Sequence, residues 1–276
     1  MSEKVWFITG VSRGLGRALA AAALAKGDRV VGTTRNGAPP EGMAAGGLTI
    51  LPLEMGDRAA IAGTVAAAHA RHGRLDVVVN NAGYGLLGPV EASTEAETEH
   101  LFAVNVFAPV AVIRAALPYL RAQRRGHIVN VASIAALAPR AGTGLYAATK
   151  AALEALSVSL AEEVAPLGIW VTVVEPGSFR TDFLADTSIR HSDPGADDYA
   201  GTSGRILAGL AAKNHSQIGD PARAAAAILE AVGADEPPLN LFLGSDALER
   251  ARGRLDRLED DLSRWETLAR GTDFAG

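Results

Sequence analysis

Val5-Trp6-Phe7-Ile8-Thr9-Gly10-Val11-Ser12-Arg13-Gly14-Leu15-Gly16 places an apolar run and then a glycine-rich turn ahead of the alanine-rich stretch Leu15–Ala25. Val5–Ile8 is too short for the core of a signal peptide and reads as a strand. Leu15–Ala25 carries helix formers, with apolar residues at three- and four-residue spacing. A glycine-rich turn between strand and helix suits the pyrophosphate of a dinucleotide. Glycine lets the backbone turn tightly and approach phosphate, while the helix start offers unpaired N–H groups and a favourable dipole.

Working outward, short β-branched runs alternate with long alanine-rich stretches, the pattern of βαβ units around a parallel sheet. Seven strands are expected: Val5–Thr9, Arg29–Thr33, Thr49–Leu53, Val77–Asn80, His127–Val131, Trp170–Val174 and Leu239–Leu243. They are nearly continuous apolar runs, as strands covered on both faces should be. Helices are expected over Leu15–Ala25, Arg58–His72, Glu95–Gln123, Leu145–Ala165 and Pro221–Val232. The fold class is therefore α/β, a Rossmann-like, doubly wound, parallel seven-stranded sheet with helices on both faces. No long Pro/Gly/Ser linker divides the first six strands, so residues 1–276 are expected to form a single nucleotide-binding domain. The pattern weakens over about 180–219, an insertion expected to cover the substrate. A charged helical tail over about 246–270 carries Leu248, Leu255, Leu262 and Trp265. These dock either on the body or on a partner subunit, and periodicity favours the body.

Hydrophobic residues make up 48% of the 276, enough for a sizeable core. The net charge of −5, with both signs mixed along the chain, speaks against a nucleic-acid or anionic-membrane footprint. The apolar region Leu101–Ile113 is shorter than the roughly 20 residues of a membrane span and reads as a buried helix. With no cysteine there is neither a disulfide framework nor a thiolate metal site, which suits a cytoplasmic protein.

The spacing Gly10-x-x-x-Gly14-x-Gly16 resembles that of the short-chain dehydrogenase/reductase family. By that resemblance Gly10, Ser12, Arg13, Gly14, Leu15 and Gly16 line the pyrophosphate site. The second strand runs into Thr33-Thr34-Arg35, with no carboxylate to accept from a ribose 2′-hydroxyl. Thr34 and Arg35, with Arg13 in the loop, offer positive charge and forked donors to a 2′-phosphate, so the cofactor implied is NADP(H). Glu54 and Met55 stand where the family contacts adenine. Asn80-Asn81-Ala82-Gly83 resembles the family's turn against the ribose, with Asn81, Ala82 and Gly83 at the cofactor.

Ser133 follows the fifth strand, and Tyr146-Ala147-Ala148-Thr149-Lys150 opens the next helix, thirteen residues later. Tyrosine and lysine at i and i+4 share a helix face. A free tyrosine has a pKa of about 10, and a neighbouring cation lowers it toward the working range. The resemblance implies that Tyr146 is the proton donor or acceptor, that Ser133 bonds the substrate oxygen and that Lys150 tunes Tyr146 and holds the nicotinamide ribose. Asn105, polar within an apolar run, resembles the family asparagine that bends its helix and binds a water leading to Lys150. Pro176-Gly177-Ser178-Phe179-Arg180-Thr181 resembles the stretch at the nicotinamide amide, with Pro176, Gly177 and Phe179 beside the cofactor and Thr181 as donor. The resemblance runs from about Val5 to Thr181.

Tyr84, Arg140, Ser178, Phe179 and Leu184 flank the implied nicotinamide site as candidate pocket residues. His69 and His72 read as a solvated pair without further ligands, not as a metal site. Trp6 and Trp170, both in strands, read as core. The implied activity is hydride transfer between nicotinamide and a ketone, aldehyde or secondary alcohol. The alternative is a non-catalytic NADP(H)-binding sensor; epimerisation or dehydration of nucleotide-sugars goes with a different glycine spacing and a larger C-terminal domain. The partners expected are a small carbonyl or alcohol substrate and further copies of the chain, as a dimer or tetramer through the two long central helices, with no nucleic acid and no membrane.

Overall fold

All seven expected strands form, each within two residues of its expected bounds. The computed structural model describes residues 3–43, 46–185, 188–193 and 197–274. In chain order the elements begin β1 (Val5–Ile8), α1 (Gly14–Ala25), β2 (Arg29–Thr34), β3 (Leu48–Pro52), α2 (Arg58–His72) and β4 (Val77–Asn80). Then come β5 (Gly85–Leu87), α3 (Glu95–Phe102), α4 (Ala108–Gln123), β6 (Gly126–Val131), α5 (Ile134–Leu137), α6 (Gly144–Val164) and β7 (Ile169–Pro176). The chain finishes with β8 (Ile189–His191), α7 (Arg205–Ala211), α8 (Pro221–Gly233), β9 (Asn240–Leu243) and α9 (Ser245–Arg270).

The main sheet is parallel throughout, in the order β3-β2-β1-β4-β6-β7-β9. The order reverses between β1 and β4, and the crevice beyond their carboxyl ends is where such sheets bind ligands. Side-chain alternation along β1 explains how both faces are covered. Phe7 joins Val31, Val78 and Ile128 beneath α2, α4 and α6, while Trp6 and Ile8 join Val30 and Val79 beneath α1 and α8. Across the middle, Asn80 Nδ2 donates to Asn130 Oδ1 at 2.8 Å, and Asn130 Nδ2 donates to Ser157 Oγ at 2.7 Å. These bonds tie β4, β6 and α6 together.

Glu95–Gln123 does form a helix over its expected bounds, with a π turn over Ala103–Phe107 at Asn105. The whole run is long and apolar enough to cross a membrane, yet Leu101, Val104, Val112 and Leu120 pack into the core. A second, two-stranded parallel sheet joins β5 to β8, bringing part of the 180–219 insertion against the turn after β4. Residues 186, 187 and 194–196 of that insertion, like 1, 2, 275 and 276 at the ends, lie outside the described residues. Several expectations are corrected. Trp170 is not core but 46% exposed, because β9 joins β7 only from Val173 onward. His69 is half-buried and stacks on Tyr119 with centroids 4.0 Å apart, so it is not simply solvated. The tail forms its helix, but Ala247 and Ala251 dock on Ile134 and Ala138 while the four larger apolar residues stay exposed.

Glu175 lies fully buried in β7. Its Oε1 accepts from Asn240 Nδ2 at 3.0 Å, and its Oε2 has no partner. Burial pushes its carboxyl up to about 7; the Asn240 bond opposes the shift and Glu154 adds to it. Such a group binds its proton more tightly folded than unfolded, so its contribution to stability is full in acid and is lost as pH rises from about 4.5 to about 7. Glu175→Gln should flatten that loss, an effect on the order of 3 kcal/mol. Urea unfolding of both proteins near pH 5 and near pH 8 checks this, and identical slopes with pH would refute it.

Candidate active site

The glycine loop is clamped from both sides. Gly10 N donates to Thr33 Oγ1 at 3.2 Å and Val11 N to Thr33 O at 3.0 Å, fastening the loop to β2. Asn81 Nδ2 donates to Thr9 O and Gly10 O, both at 2.9 Å, and the Asn81 and Ala82 amides donate to Thr9 Oγ1. A Cβ on Gly16 would stand 2.3 Å from Asn81 Nδ2 and 2.4 Å from Gly10 O. Gly10 and Gly14 hold φ of +72° and +59°, the left-handed region open to glycine. Helix α1 starts at Gly14 with Arg13 as N-cap and no side-chain cap bond, so its first N–H groups are oriented for an anion. This cradle, too tight for side chains, fits a dinucleotide pyrophosphate.

Around the cradle the implied nucleotide residues separate by environment. Arg13 is half-buried, while Ser12, Arg35 and Glu54 are exposed. Thr34 is buried, and its Oγ1 donates within its own turn to Ala38 O at 3.0 Å. Leu15 and Met55 direct their side chains into the two core clusters.

After β6, Ser133 caps α5, its Oγ accepting from Ala135 N at 3.1 Å. The Ser133 hydroxyl lies beside the Tyr146 phenol, on which it acts to lower the pKa. One turn along α6, Lys150 Nζ donates to Val131 O at 2.8 Å and lies 5.9 Å from the Tyr146 ring centroid. The expectation that Lys150 brings Tyr146 down is corrected. Burial dominates and pushes the phenol up to about 12 against the Ser133 bond, and burial pushes Lys150 down to about 8. Asn105 is buried in the π turn; its Oδ1 accepts from Tyr84 N at 3.1 Å and its Nδ2 donates to Tyr84 O and Thr149 Oγ1. It staples the turn after β4 to α6. A Cβ on Gly83 would sit 3.1 Å from Asn105 Oδ1 and 3.6 Å from Lys150 Nζ, which places all three residues together.

The segment after β7 closes the site from above. A Cβ on Gly14 would lie 3.6 Å from Thr181 Cβ, so Thr181 stands over the glycine loop, where its Oγ1 accepts from Phe183 N at 3.2 Å. Phe179 packs on the core beside Gly219. Tyr84 lays its ring on the core and under Arg190, Arg140 is exposed, and Ser178 and Leu184 are half-buried. Two residues escaped the reading of the sequence. The Phe183 ring is 5.8 Å from that of Tyr146, forming an apolar wall with Ala135 and Ala147. Asp246 Oδ2 accepts from Ser178 N at 2.9 Å, and a Cβ on Gly177 would collide with its carboxylate. An acid in the first turn of a helix reads locally as a dipole partner, so no local signal marked Asp246 as a brace for this loop.

The family model for short chain dehydrogenase matches residues 4–191, across the cradle, Ser133, Tyr146 and Lys150. The chain belongs to the short-chain dehydrogenase/reductase family. This dehydrogenase/reductase is 36% identical over 273 residues to the oxidoreductase BOA17 of Botryotinia fuckeliana, covering 96% of this chain and 98% of that one. It is 34% identical to a 3-ketodihydrosphingosine reductase of Bacteroides thetaiotaomicron, with 88% and 89% covered. A crystal structure of a short-chain dehydrogenase from Streptomyces avermitilis matches with a TM-score of 0.91 at 42% identity over 99% of each chain. A metagenomic short-chain oxidoreductase in complex with NADP matches at TM-score 0.69 and 30% identity, covering 88% of this chain and 97% of that one. The fold is shared by a Burkholderia phymatum family member in complex with NAD, at TM-score 0.79 and 23% identity with 94% and 95% covered, so neighbours hold either nucleotide.

Two glycines separate cradle geometry from general tolerance. Gly16→Ala should cost about 1–3 kcal/mol of stability by overpacking and weaken binding of a nicotinamide dinucleotide at least about tenfold, because the cradle must open. Gly63, inside α2 with nothing within 4 Å, is the control, and Gly63→Ala should stabilise by about 0.5–1 kcal/mol without touching binding. Thermal unfolding and nucleotide fluorescence titration measure both. Normal binding by Gly16→Ala would sink the cradle assignment.

Proposed function

We propose that the protein is an NADP(H)-dependent reductase of ketones or aldehydes, able to run in reverse on secondary alcohols. The observation that carries the reading is Tyr146 with Ser133 beside it and buried Lys150 one helical turn away, 5.9 Å from its ring centroid. The bound nicotinamide supplies or takes a hydride at its C4. In reduction, Tyr146 gives its hydroxyl proton to the carbonyl oxygen as the carbonyl carbon gains hydride, and Ser133 donates a hydrogen bond to that oxygen. A phenol pushed up by burial keeps its proton at neutral pH, as a proton donor must, and solvent returns the proton after turnover. Oxidation needs the phenolate, which the charged lysine ammonium and an oxidised, positive nicotinamide ring favour.

Arg35, which follows the end of β2 where no carboxylate is offered to a ribose hydroxyl, and Arg13 in the glycine loop support the choice of NADP(H). The wall of Ala135, Ala147 and Phe183 around Tyr146 supports a substrate whose carbonyl carries an apolar substituent. The segment around 180–219 serves as its cover.

The test is consumption of NADPH and of NADH over a panel of apolar ketones and aldehydes, for the wild type and Tyr146→Phe. Expected are turnover with NADPH and a loss of at least about a hundredfold in kcat on removing the phenol oxygen. Turnover that survives Tyr146→Phe would overturn the catalytic role, and a preference for NADH would overturn the arginine reading. Tight NADPH binding without turnover across the panel would favour a sensor.

A further inference from the structure

Leu248, Leu255 and Leu262 recur every seven residues along α9, and Ala251, Leu258 and Trp265 each follow three residues later. That is the seam of a two-stranded coiled coil. The chain's own body covers only its beginning. Ala251 packs on Ile134 and Ala138, whereas Leu248, Leu255, Leu262 and Trp265 are 45, 53, 67 and 53% exposed. Every described residue from Glu259 to Phe274 is exposed, so the second half of the helix stands clear of the domain.

The charges beside the seam identify what covers it. Arg252 and Arg254 flank its first half; Glu259, Asp261 and Glu266 flank its second. Among the described residues, none of Arg252, Arg254, Glu259 and Asp261 forms an ion pair within the chain, and Glu266 pairs only with Arg270. A parallel pair of such helices sets Arg254 against Glu259 of the other copy but also Asp261 against Glu266, so one attraction is offset by one repulsion. An antiparallel pair sets Arg254 against Asp261 and Arg252 against Glu259, each twice, with Leu248 opposite Trp265 and Leu255 opposite Leu258. We propose that α9 pairs antiparallel with α9 of a second copy of this chain. Asp256–Glu266 holds five acids and two arginines, which opposes docking on an anionic membrane.

Sedimentation equilibrium of the full chain at micromolar concentration is the test. Leu262→Asp with Trp265→Asp should halve the assembly mass while leaving the circular dichroism of the domain unchanged. Arg254→Asp should weaken association roughly tenfold, and adding Asp261→Arg should restore it, because the pair is rebuilt with its signs exchanged. A wild-type monomer, a mass indifferent to Leu262→Asp with Trp265→Asp, or failure of the exchanged pair to rescue would overturn the proposal. So would vesicle binding by the wild type that the same double substitution abolishes without changing the mass.

Discussion

The side-chain amide of Asn81 donates to the carbonyls of Thr9 and Gly10, and those two bonds hold together the loops that leave β1 and β4. These strands are neighbours where the sheet order reverses, so their loops would otherwise diverge toward opposite wings of the sheet. With the loops joined, the crevice has a floor made of backbone. The close approach leaves no room for a side chain at Gly16, and it fixes where α1 begins and where its N–H groups point. Thr9 completes the clamp by accepting from the next two amides.

Burial does the rest of the chemical work. Tyr146, Lys150 and Glu175 all shift from their ordinary values chiefly because they are removed from water. For the first two, burial keeps a phenol protonated and makes an ammonium easier to neutralise, opposing the charge coupling expected from their spacing. A cation and a phenol one helical turn apart are coupled only as strongly as their surroundings allow, and here Lys150 spends its hydrogen bond on Val131 O.

The C-terminal helix connects the site to the far end of the chain. Its first turn holds Ser178 through Asp246, and Arg250 donates to Ala138 O at the end of α5. The segments after Ser133 and after Pro176 therefore lean on one helix. The same helix continues past the domain with an exposed apolar stripe, so that stripe and the brace behind the site belong to one helix.

By itself the sequence determined the seven strands, the glycine loop and the order of Ser133, Tyr146 and Lys150, because each is written in residues close together along the chain. Strand periodicity, a turn that needs glycine and an i, i+4 pair are local facts. Even the π turn at Asn105 left a local trace, a polar residue in an apolar run. Tertiary structure alone decided the rest. Gly85 meets Ile189 across a hundred residues, Thr181 comes to stand over Gly14, and Asp246 reaches Ser178. Trp170 and Leu255, Leu262 and Trp265 of α9 are as apolar as any core residue, yet all stay exposed, since burial depends on which neighbour arrives and not on the residue's own character.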